Sequence, residues 1–259
     1  MKKNTKAKNN KMYLIGDIGN TDIKICLFNR NMKLIKKKRL KTTSLNKNYL
    51  SKNLKFIKRY KSEIKKVLVS SVVPIAYNNI KKFIERSTKI KCIELKKLKL
   101  NNLLKIKVNK KQIGSDRLAN AISVIDKKRN FIVVDFGTAT NFDIVIKDNY
   151  IGGILAPGVK LSLNTLSDKA SLIPKIKLEK IKHVIGKNTT SAIRAGFYHG
   201  YSGLIDNIIK MIIKQTGKSF NIILTGGYSY LFKNSIKRKT IIKKDLTING
   251  VLKAAVFSK

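Results

Sequence analysis

The sequence predicts a mixed α/β fold made of two similar subdomains, and two observations lead to this prediction. Short apolar, β-branched runs alternate with segments of helical periodicity, which is typical of layered α/β domains. Asp17-Ile18-Gly19 and Asp135-Phe136-Gly137 each come at the end of such a run, and the two aspartates lie 118 residues apart. This repetition indicates two subdomains that each offer one loop to a shared ligand.

The composition limits the possible functions. The chain has 259 residues, 43% of them hydrophobic, which is enough for one large core or two moderate ones. Its formal net charge is +43, but 49 of the 57 basic residues are lysines scattered along the whole length and only 8 are arginines. Arginine is the better residue for specific phosphate and base contacts, so we expect no specific nucleic-acid partner. Every apolar run is shorter than the roughly 18 residues that a membrane span needs.

Cysteine usage and the amino terminus bear on location. Cys26 and Cys92 both lie in apolar surroundings, which suits buried thiols in a reducing compartment, so we expect a cytoplasmic protein. Residues 1–11 are basic and lack the apolar core of a signal peptide. We interpret them as a tail that is disordered or that precedes the true start, because Met12 comes directly before the first predicted strand.

Strands and helices alternate in the first part of the chain. The pattern predicts, in order, a hairpin over 12–30 that turns at Gly19 and Asn20, a stranded segment over 31–45, a surface helix over 47–66, a buried strand at 67–69, a helix at about 75–87 and a strand at 91–95. Ser70-Ser71-Val72-Val73-Pro74 follows the buried strand, and its polar residues and proline are typical of a turn.

Gly114-Ser115-Asp116-Arg117 precedes the next predicted helix, because apolar residues recur at helical spacing from Leu118 to Ile125. One interpretation is a plain N-cap, with Ser115 or Asp116 at the helix start. The other is chemical. Asp116 could take or orient the proton of a hydroxyl nucleophile while Arg117 holds an anion.

Five segments are predicted in the second part of the chain. They are a strand, turn and strand over 131–145, a glycine-rich segment over 151–158, a long helix over about 189–215, a strand at 221–224 and a short terminal helix. The segment 151–158 is either a turn-rich connection or a place where the backbone passes close to a ligand or to the other subdomain. Thr225-Gly226-Gly227 either lies against a nucleotide base or ribose, or forms a simple turn.

The Asp135 hairpin also has two interpretations. Asp and Gly are common turn residues, so it could be an ordinary hairpin. Alternatively, its turn amides and threonine hydroxyls donate to phosphate oxygens, and the strand-end carboxylate holds a cation against that phosphate.

Together these motifs resemble those of the type III pantothenate kinases of the acetate kinase–sugar kinase–Hsp70–actin superfamily, over about residues 12–255. The motifs that carry the resemblance are Asp17–Thr21, Ser70–Pro74, Gly114–Arg117, Asp135–Thr140, Gly152-Gly153 through Pro157-Gly158, Gly186–Thr189 and Thr225–Gly227. The resemblance implies two ribonuclease-H-like (actin-like ATPase) subdomains around a nucleotide cleft, each a mixed β-sheet with flanking helices. We place these subdomains at 12–115 and 116–259.

The resemblance also implies an activity. It is the ATP-dependent phosphorylation of pantothenate to 4'-phosphopantothenate, the first step of coenzyme A biosynthesis, by a cytoplasmic homodimer that uses Mg²⁺ with ATP. The implied ATP-binding residues are Asp17, Ile18, Gly19, Asn20, Thr21, Asp22, Ile23, Lys24 and Thr138. The implied pantothenate-binding residues are Gly114, Ser115, Asp116, Arg117 and Thr189, with Thr189 supplied by the partner subunit. Asp116 is implied as the general base, and Asp135 as the ligand of a monovalent cation, K⁺ or NH₄⁺.

Three positions depart from the family's usual pattern. Lys107 stands where an aromatic residue is usual, seven residues before Gly114. Asn141 stands where a threonine is usual, and Arg194 where a glutamine is usual. We therefore predict an active enzyme with weakened pantothenate binding. The alternative is a transcription-accessory relative of the same fold without enzymatic activity.

Overall fold

The computed structural model describes residues 11–258, which divide into two compact units. Unit 1 comprises residues 11–103, 110–123 and 247–258, and unit 2 comprises 104–109 and 124–246. This division is discontinuous, whereas the sequence suggested a single boundary between 115 and 116. Apart from Lys11, the predicted tail over 1–11 lies outside the described residues.

Unit 1 contains a five-stranded mixed sheet. Its elements are β1 (Met12–Ile18), β2 (Asp22–Asn29), β3 (Leu34–Lys41), α1 (Lys47–Asn53), α2 (Lys55–Arg59), β4 (Ile64–Ser71), α3 (Pro74–Thr88), β5 (Cys92–Glu94), α4 (Ser115–Val124) and α8 (Leu246–Phe257). The strand order is β3-β2-β1-β4-β5. The first three strands form an antiparallel meander, and β4 and β5 add in parallel to β1.

Unit 2 repeats this topology. Its elements are β6 (Lys105–Ile106), β7 (Asn130–Phe136), β8 (Ala139–Ile146), β9 (Asn149–Pro157), α5 (Val159–Lys169), α6 (Thr189–Thr216), β10 (Asn221–Gly226), α7 (Ser229–Phe232) and β11 (Thr240–Ile242). The strand order is β11-β10-β7-β8-β9-β6. Strands β7, β8 and β9 form the meander, β10 and β11 add in parallel to β7, and the short β6 pairs with the outer edge of β9. The predicted α/β fold with two similar ribonuclease-H-like halves is therefore confirmed.

Alternation along each strand decides which side chains enter the core. In unit 1, Ile18 and Ile23 pair across β1 and β2 and belong to a fully buried cluster with residues of α1, α2 and α3, such as Ile80. The opposite sheet face meets α8, because Lys66 Nζ of β4 donates to the Ser258 carbonyl at 3.3 Å. Successive side chains of a strand point to opposite faces, so Asp17 lies on this second face.

Helices α4 and α8 pack closely within unit 1. A Cβ added to Gly250 would overlap the backbone of Ala119, so only glycine permits this approach. The hydroxyl of Thr247 donates to Asn120 Oδ1 at 2.9 Å, and both residues are buried. These contacts fix α4, the helix that begins with the Gly114–Arg117 motif.

The structure differs from the predicted secondary structure in two segments. The surface helix predicted over 47–66 is two short helices, α1 and α2, that meet at Leu54, and Ile64 already begins β4. Leu54 is fully buried, so the chain bends there to place that side chain in the core. The segment 151–158 is mostly strand β9 rather than a turn-rich connection. Gly152 has φ +131°, which accommodates the irregular register between β8 and β9.

None of the helices within residues 11–258 has the length and apolar character needed to cross a membrane.

Candidate active site

The Asp17–Lys24 loop joins β1 to β2 in unit 1. The turn is closed by a hydrogen bond from the Gly19 amide to the Asp22 carbonyl at 3.0 Å. Thr42 braces it from outside, because its hydroxyl donates to the Gly19 carbonyl at 2.7 Å and its amide to the Thr21 carbonyl at 3.1 Å. Asn20 and Thr21 are exposed at the tip. The loop therefore has a fixed backbone and a tip that is open to a ligand.

The eight predicted ATP-binding residues of this loop do not all point the same way. The side chains of Ile18 and Ile23 are buried in the core, so only their backbone groups can serve a phosphate. Asp17 and Lys24 are opposite each other in the β1–β2 register, on the other face. Asp22 forms an ion pair with Arg39 of β3. Asp22 also accepts a hydrogen bond from Arg39 Nη2, and this bond raises the pKa of Arg39. Asp22 therefore links β2 to β3 at the edge of the hairpin.

The Gly114–Arg117 motif lies at the amino end of α4. The helix begins at Ser115, and the amide of Leu118 donates to the Gly114 carbonyl at 3.2 Å. Gly114 is therefore the residue before the first turn, and neither Ser115 nor Asp116 is the N-cap. A Cβ on Gly114 would collide with Asp116 Oδ1, so the glycine gives that carboxylate its room.

Asp116 has the environment of a proton acceptor. Its carboxylate accepts a hydrogen bond from the Arg117 amide at 2.8 Å. Burial raises the pKa of Asp116 above its ordinary value of 3.8, and the Arg117 amide and charge offset only part of this effect. A carboxylate made more basic by burial is better matched to taking a proton near neutral pH.

The β4–α3 loop touches both motifs of unit 1. The amide of Val72 donates to the Ile18 carbonyl at 3.1 Å. On its other side, Val72 Cγ1 lies 3.6 Å from where a Cβ on Gly114 would be. Asp17 is opposite Ser70 in the β1–β4 register. Unit 1 thus brings the predicted phosphate loop and the predicted pantothenate motif together around one connecting loop.

Glu94 also positions the motif, and sequence reasoning missed it. This residue ends β5, and its carboxylate accepts hydrogen bonds from the Ser115 hydroxyl and from the Lys96 amide. Ser115 is almost completely buried by this arrangement. Glu94 was recognisable as one of only 14 acidic residues, placed directly after a predicted strand. No local pattern indicates that its partner, Ser115, is 21 residues away.

In unit 2, the Asp135–Thr138 turn joins β7 to β8. Gly137 closes the turn through its amide, which donates to the Ala139 carbonyl at 3.0 Å, and Thr138 is exposed. The backbone of Gly158 lies directly against the Thr138 carbonyl, where a Cβ would not fit. The Pro157-Gly158 pair after β9 therefore supports this turn.

The Thr225-Gly226-Gly227 motif lies against Asp135. Gly226 has φ +85°, and a Cβ there would meet both the Phe136 backbone and, at 2.7 Å, Asp135 Oδ1. The amide of Gly227 donates to the Phe136 carbonyl at 3.1 Å. The glycines thus allow the ends of β7 and β10 to come together beside the Asp135 carboxylate, which neither interpretation of this motif anticipated.

Thr189 is in unit 2 but outside the Asp135 hairpin. It is the exposed first residue of α6, after the N-cap Asn188. Asn188 and Ser191 form a reciprocal capping box with hydrogen bonds of 2.9 and 3.1 Å. The side chain of Thr189 takes no part in that capping and remains available for an outside contact.

Lys107 has an aromatic neighbour that does not replace the missing ring. Its amide donates to the carbonyl of Tyr150 at 2.9 Å, and its side chain is exposed. The ring of Tyr150 is buried, and its hydroxyl donates to Asp143 Oδ1 at 2.8 Å. The Tyr150 ring is therefore committed to the core of unit 2.

Comparison with known proteins decides the family. The family model described as type III pantothenate kinase matches residues 13–211. A type III pantothenate kinase from Pelagibacter ubique is 58% identical over 248 residues, which cover 96% of this chain and 100% of the relative. This chain belongs to the type III pantothenate kinase family. A second member, from Desulforapulum autotrophicum, is 34% identical and covers 93% of this chain and 95% of its own.

Solved structures agree with this family's actin-like fold. The activator of 2-hydroxyisocaproyl-CoA dehydratase from Clostridium difficile, with bound ADPNP, has a TM-score of 0.54 at 13% identity, covering 96% of this chain and 94% of its own. A Baf family transcriptional activator from Campylobacter jejuni has a TM-score of 0.53 at 20% identity, and the match covers 93% of this chain and 96% of the activator. At these identities the likeness concerns the fold alone. The resemblance to type III pantothenate kinases inferred from the motifs is confirmed by the family match.

Proposed function

We propose that this chain phosphorylates pantothenate with ATP and so catalyses the first step of coenzyme A biosynthesis. The observation that carries the proposal is similarity over nearly the whole chain to type III pantothenate kinases. The geometry of unit 1 supports it, because Asp116, a carboxylate whose pKa burial raises, stands at the start of α4 and its motif contacts the same connecting loop as the Asp17–Lys24 turn. The proposal extends to the residues implied by the motifs.

Asp116 and Arg117 would handle the acceptor substrate. Phosphoryl transfer passes through a loose transition state, so it depends on positioning and charge neutralisation more than on covalent help. Asp116 orients the terminal hydroxyl of pantothenate and takes its proton late in the step. Arg117 holds the pantothenate carboxylate, and Gly114 and Ser115 shape the surrounding backbone. The turn at Asp17–Lys24 and the exposed Thr138 bind ATP.

The donor sets fit the two cations that the proposal includes. Residues 11–258 contain no cluster of three or more His, Cys, Asp or Glu side chains, so a cage built only from protein ligands is not available to Mg²⁺. Mg²⁺ commonly arrives on substrate phosphates and uses one or two carboxylates, a role that Asp17 fits. Asp135 fits a monovalent cation, K⁺ or NH₄⁺, because the buried Asn141 Oδ1 opposite it has no hydrogen-bond partner among the described residues. Both cations would neutralise phosphate charge.

The proposal also includes a homodimer in the cytoplasm. Thr189 is exposed at the start of α6, and the segment before it exposes Val184 and Ile185 at 70% and 85%. Exposed apolar side chains of this kind favour a protein–protein contact, through which Thr189 would reach the partner's pantothenate. Cys26 and Cys92 are buried and form no disulfide, which fits a reducing compartment. Burial raises the pKa of Cys92 to about 12, so its thiol is unreactive.

The alternative, a transcription-accessory relative, is not favoured. The Campylobacter jejuni activator resembles this chain in fold, and 20% identity carries no functional inference. The high positive charge comes from dispersed lysines, so we propose no specific nucleic-acid partner.

A coupled assay of ADP release tests the proposal. Turnover is expected only when ATP, pantothenate, Mg²⁺ and K⁺ are all present, and omission of pantothenate is the matched blank. Asp116→Ala should lose about 10²–10⁴-fold in rate, the usual share of a general base. Turnover that is absent in the wild type, or equal in Asp116→Ala, would contradict the proposal.

A further inference from the structure

Asp135 and Asn141 occupy directly opposed positions on two antiparallel strands of unit 2. They are partners in the β7–β8 register. Opposed residues of an antiparallel pair project to the same face, with Cβ atoms about 5 Å apart. The apolar side chains next to them, such as Val134 and Phe142, belong to the buried cluster on the other face. The two polar side chains therefore share the face that is opposite this cluster.

The Asn141 amide oxygen is buried and has no hydrogen-bond partner among residues 11–258. Buried acceptors of this kind are rare, because the oxygen loses its hydrogen bonds to water without gaining others.

The pair has the chemistry of a small oxygen site for a hard cation. Carboxylate and amide carbonyl oxygens are ligands of such cations, and carbonyl oxygens are the usual ligands of K⁺. One carboxylate and one neutral oxygen carry a single negative charge, which balances a monovalent ion. Gly226 on β10 adds room on the other side, since a side chain there would come within 2.7 Å of Asp135 Oδ1.

We propose that Asn141 Oδ1 is a second side-chain ligand of the monovalent cation at Asp135. This inference rests on the cation site included in the proposed function. It concerns this chain's own residue, because the strand register and the unpartnered oxygen of Asn141 carry it. The cation supplies the positive partner that the buried oxygen lacks.

Four proteins test the assignment: the wild type, Asn141→Leu, Asp135→Asn and Asn130→Leu. Leucine matches asparagine in shape but has no ligand oxygen. Asn130 is the matched control, because its Oδ1 is also buried and has no hydrogen-bond partner within residues 11–258. Asn130 lies on β7, the strand that carries Asp135. It lies five residues from Asp135, roughly 17 Å along the strand, on the other face.

The readout is thermal unfolding in KCl compared with choline chloride at equal ionic strength, with and without a non-hydrolysable ATP analogue. A cation that binds only the folded protein stabilises it by RT ln(1 + [K⁺]/Kd), so Tm rises further at a given K⁺ concentration when binding is tighter. The wild type and Asn130→Leu should show the same K⁺-dependent rise. Asn141→Leu should need at least about tenfold more K⁺ for the same rise, and Asp135→Asn should lose it.

The outcomes separate this inference from the proposed cation site. If Asp135→Asn loses the K⁺ effect and Asn141→Leu keeps the wild-type response, Asn141 is not a ligand but the site stands. If Asp135→Asn responds like the wild type, or if the wild type shows no K⁺ effect in either condition, both assignments are overturned. A loss in Asn130→Leu as large as in Asn141→Leu would show a general effect of the substitution and would also overturn the inference.

Discussion

The Asp116 carboxylate accepts a hydrogen bond from the backbone amide of Arg117 at 2.8 Å, within the first turn of α4. The helix start therefore fixes the direction of the carboxylate, while burial makes it more basic than an ordinary aspartate. The next residue supplies a guanidinium from the same turn. One short motif thus combines a buried carboxylate with a guanidinium.

The rate should depend on pH through Asp116. A general base must be ionised, so kcat/KM for pantothenate is expected to fall about tenfold per pH unit below the pKa of Asp116. Because burial raises that pKa, the fall should begin well above pH 3.8, the ordinary value for aspartate. A pH profile of initial rates measures it. A profile that stays flat down to the ordinary aspartate value would argue against this role.

The same burial should cost stability at neutral pH. Asp116 binds its proton more tightly in the folded than in the unfolded chain, so stability falls as pH rises from the unfolded pKa through the raised folded one. Asp116→Asn keeps the shape and an acceptor for the Arg117 amide but removes the charge. Its Tm should exceed that of the wild type by a few degrees near neutral pH and match it in acid. Thermal scans at both pH values test this, and a lower Tm at neutral pH would contradict it.

Lys107→Tyr should improve pantothenate binding. The backbone at this position is held by the Tyr150 carbonyl, and the side chain is exposed, so the exchange should not disturb unit 2. Restoring an aromatic ring should lower the KM for pantothenate about two- to tenfold and leave the KM for ATP unchanged. Lys36→Tyr, at an exposed position of edge strand β3, is the control. An unchanged KM would mean that another residue already packs the substrate.

Mixed dimers should reveal whether Thr189 acts across a subunit interface. If it does, an equal mixture of inactive Asp116→Ala and Thr189→Arg chains forms hybrids with one intact site, and about a quarter of wild-type activity returns. Thr189 is exposed at the first position of α6, so arginine fits the fold there. Asp116→Ala mixed with Arg117→Ala is the control and should restore nothing. No recovery in the first mixture would place Thr189 in its own subunit's site or outside any site.

Repeated local pattern made the fold predictable. The hairpins at Asp17 and Asp135 stand out because alternating apolar residues and a glycine turn are adjacent in sequence. The break at Leu54 was not predictable in this way, since helical spacing continues through it and only tertiary packing bends the chain. Strand β9 was missed because its glycines suggested turns.

The same limit applies to the site. The motif at Gly114–Arg117 was visible because its four residues are contiguous. The hydrogen bond from Ser115 to Glu94 and the opposition of Asp135 and Asn141 depend on partners and strand register that no local pattern specifies. Both relationships depend on the three-dimensional arrangement of the elements, in which residues distant in sequence become neighbours.

The central claim is tested most directly by identifying the product. After incubation with ATP, pantothenate, Mg²⁺ and K⁺, ³¹P NMR and mass spectrometry should show a phosphate monoester on the terminal hydroxyl of pantothenate, in an amount equal to the ADP formed. Asp116→Ala should yield about 1% of that product or less in the same time. ADP without phosphopantothenate, or equal product from Asp116→Ala, would contradict the account.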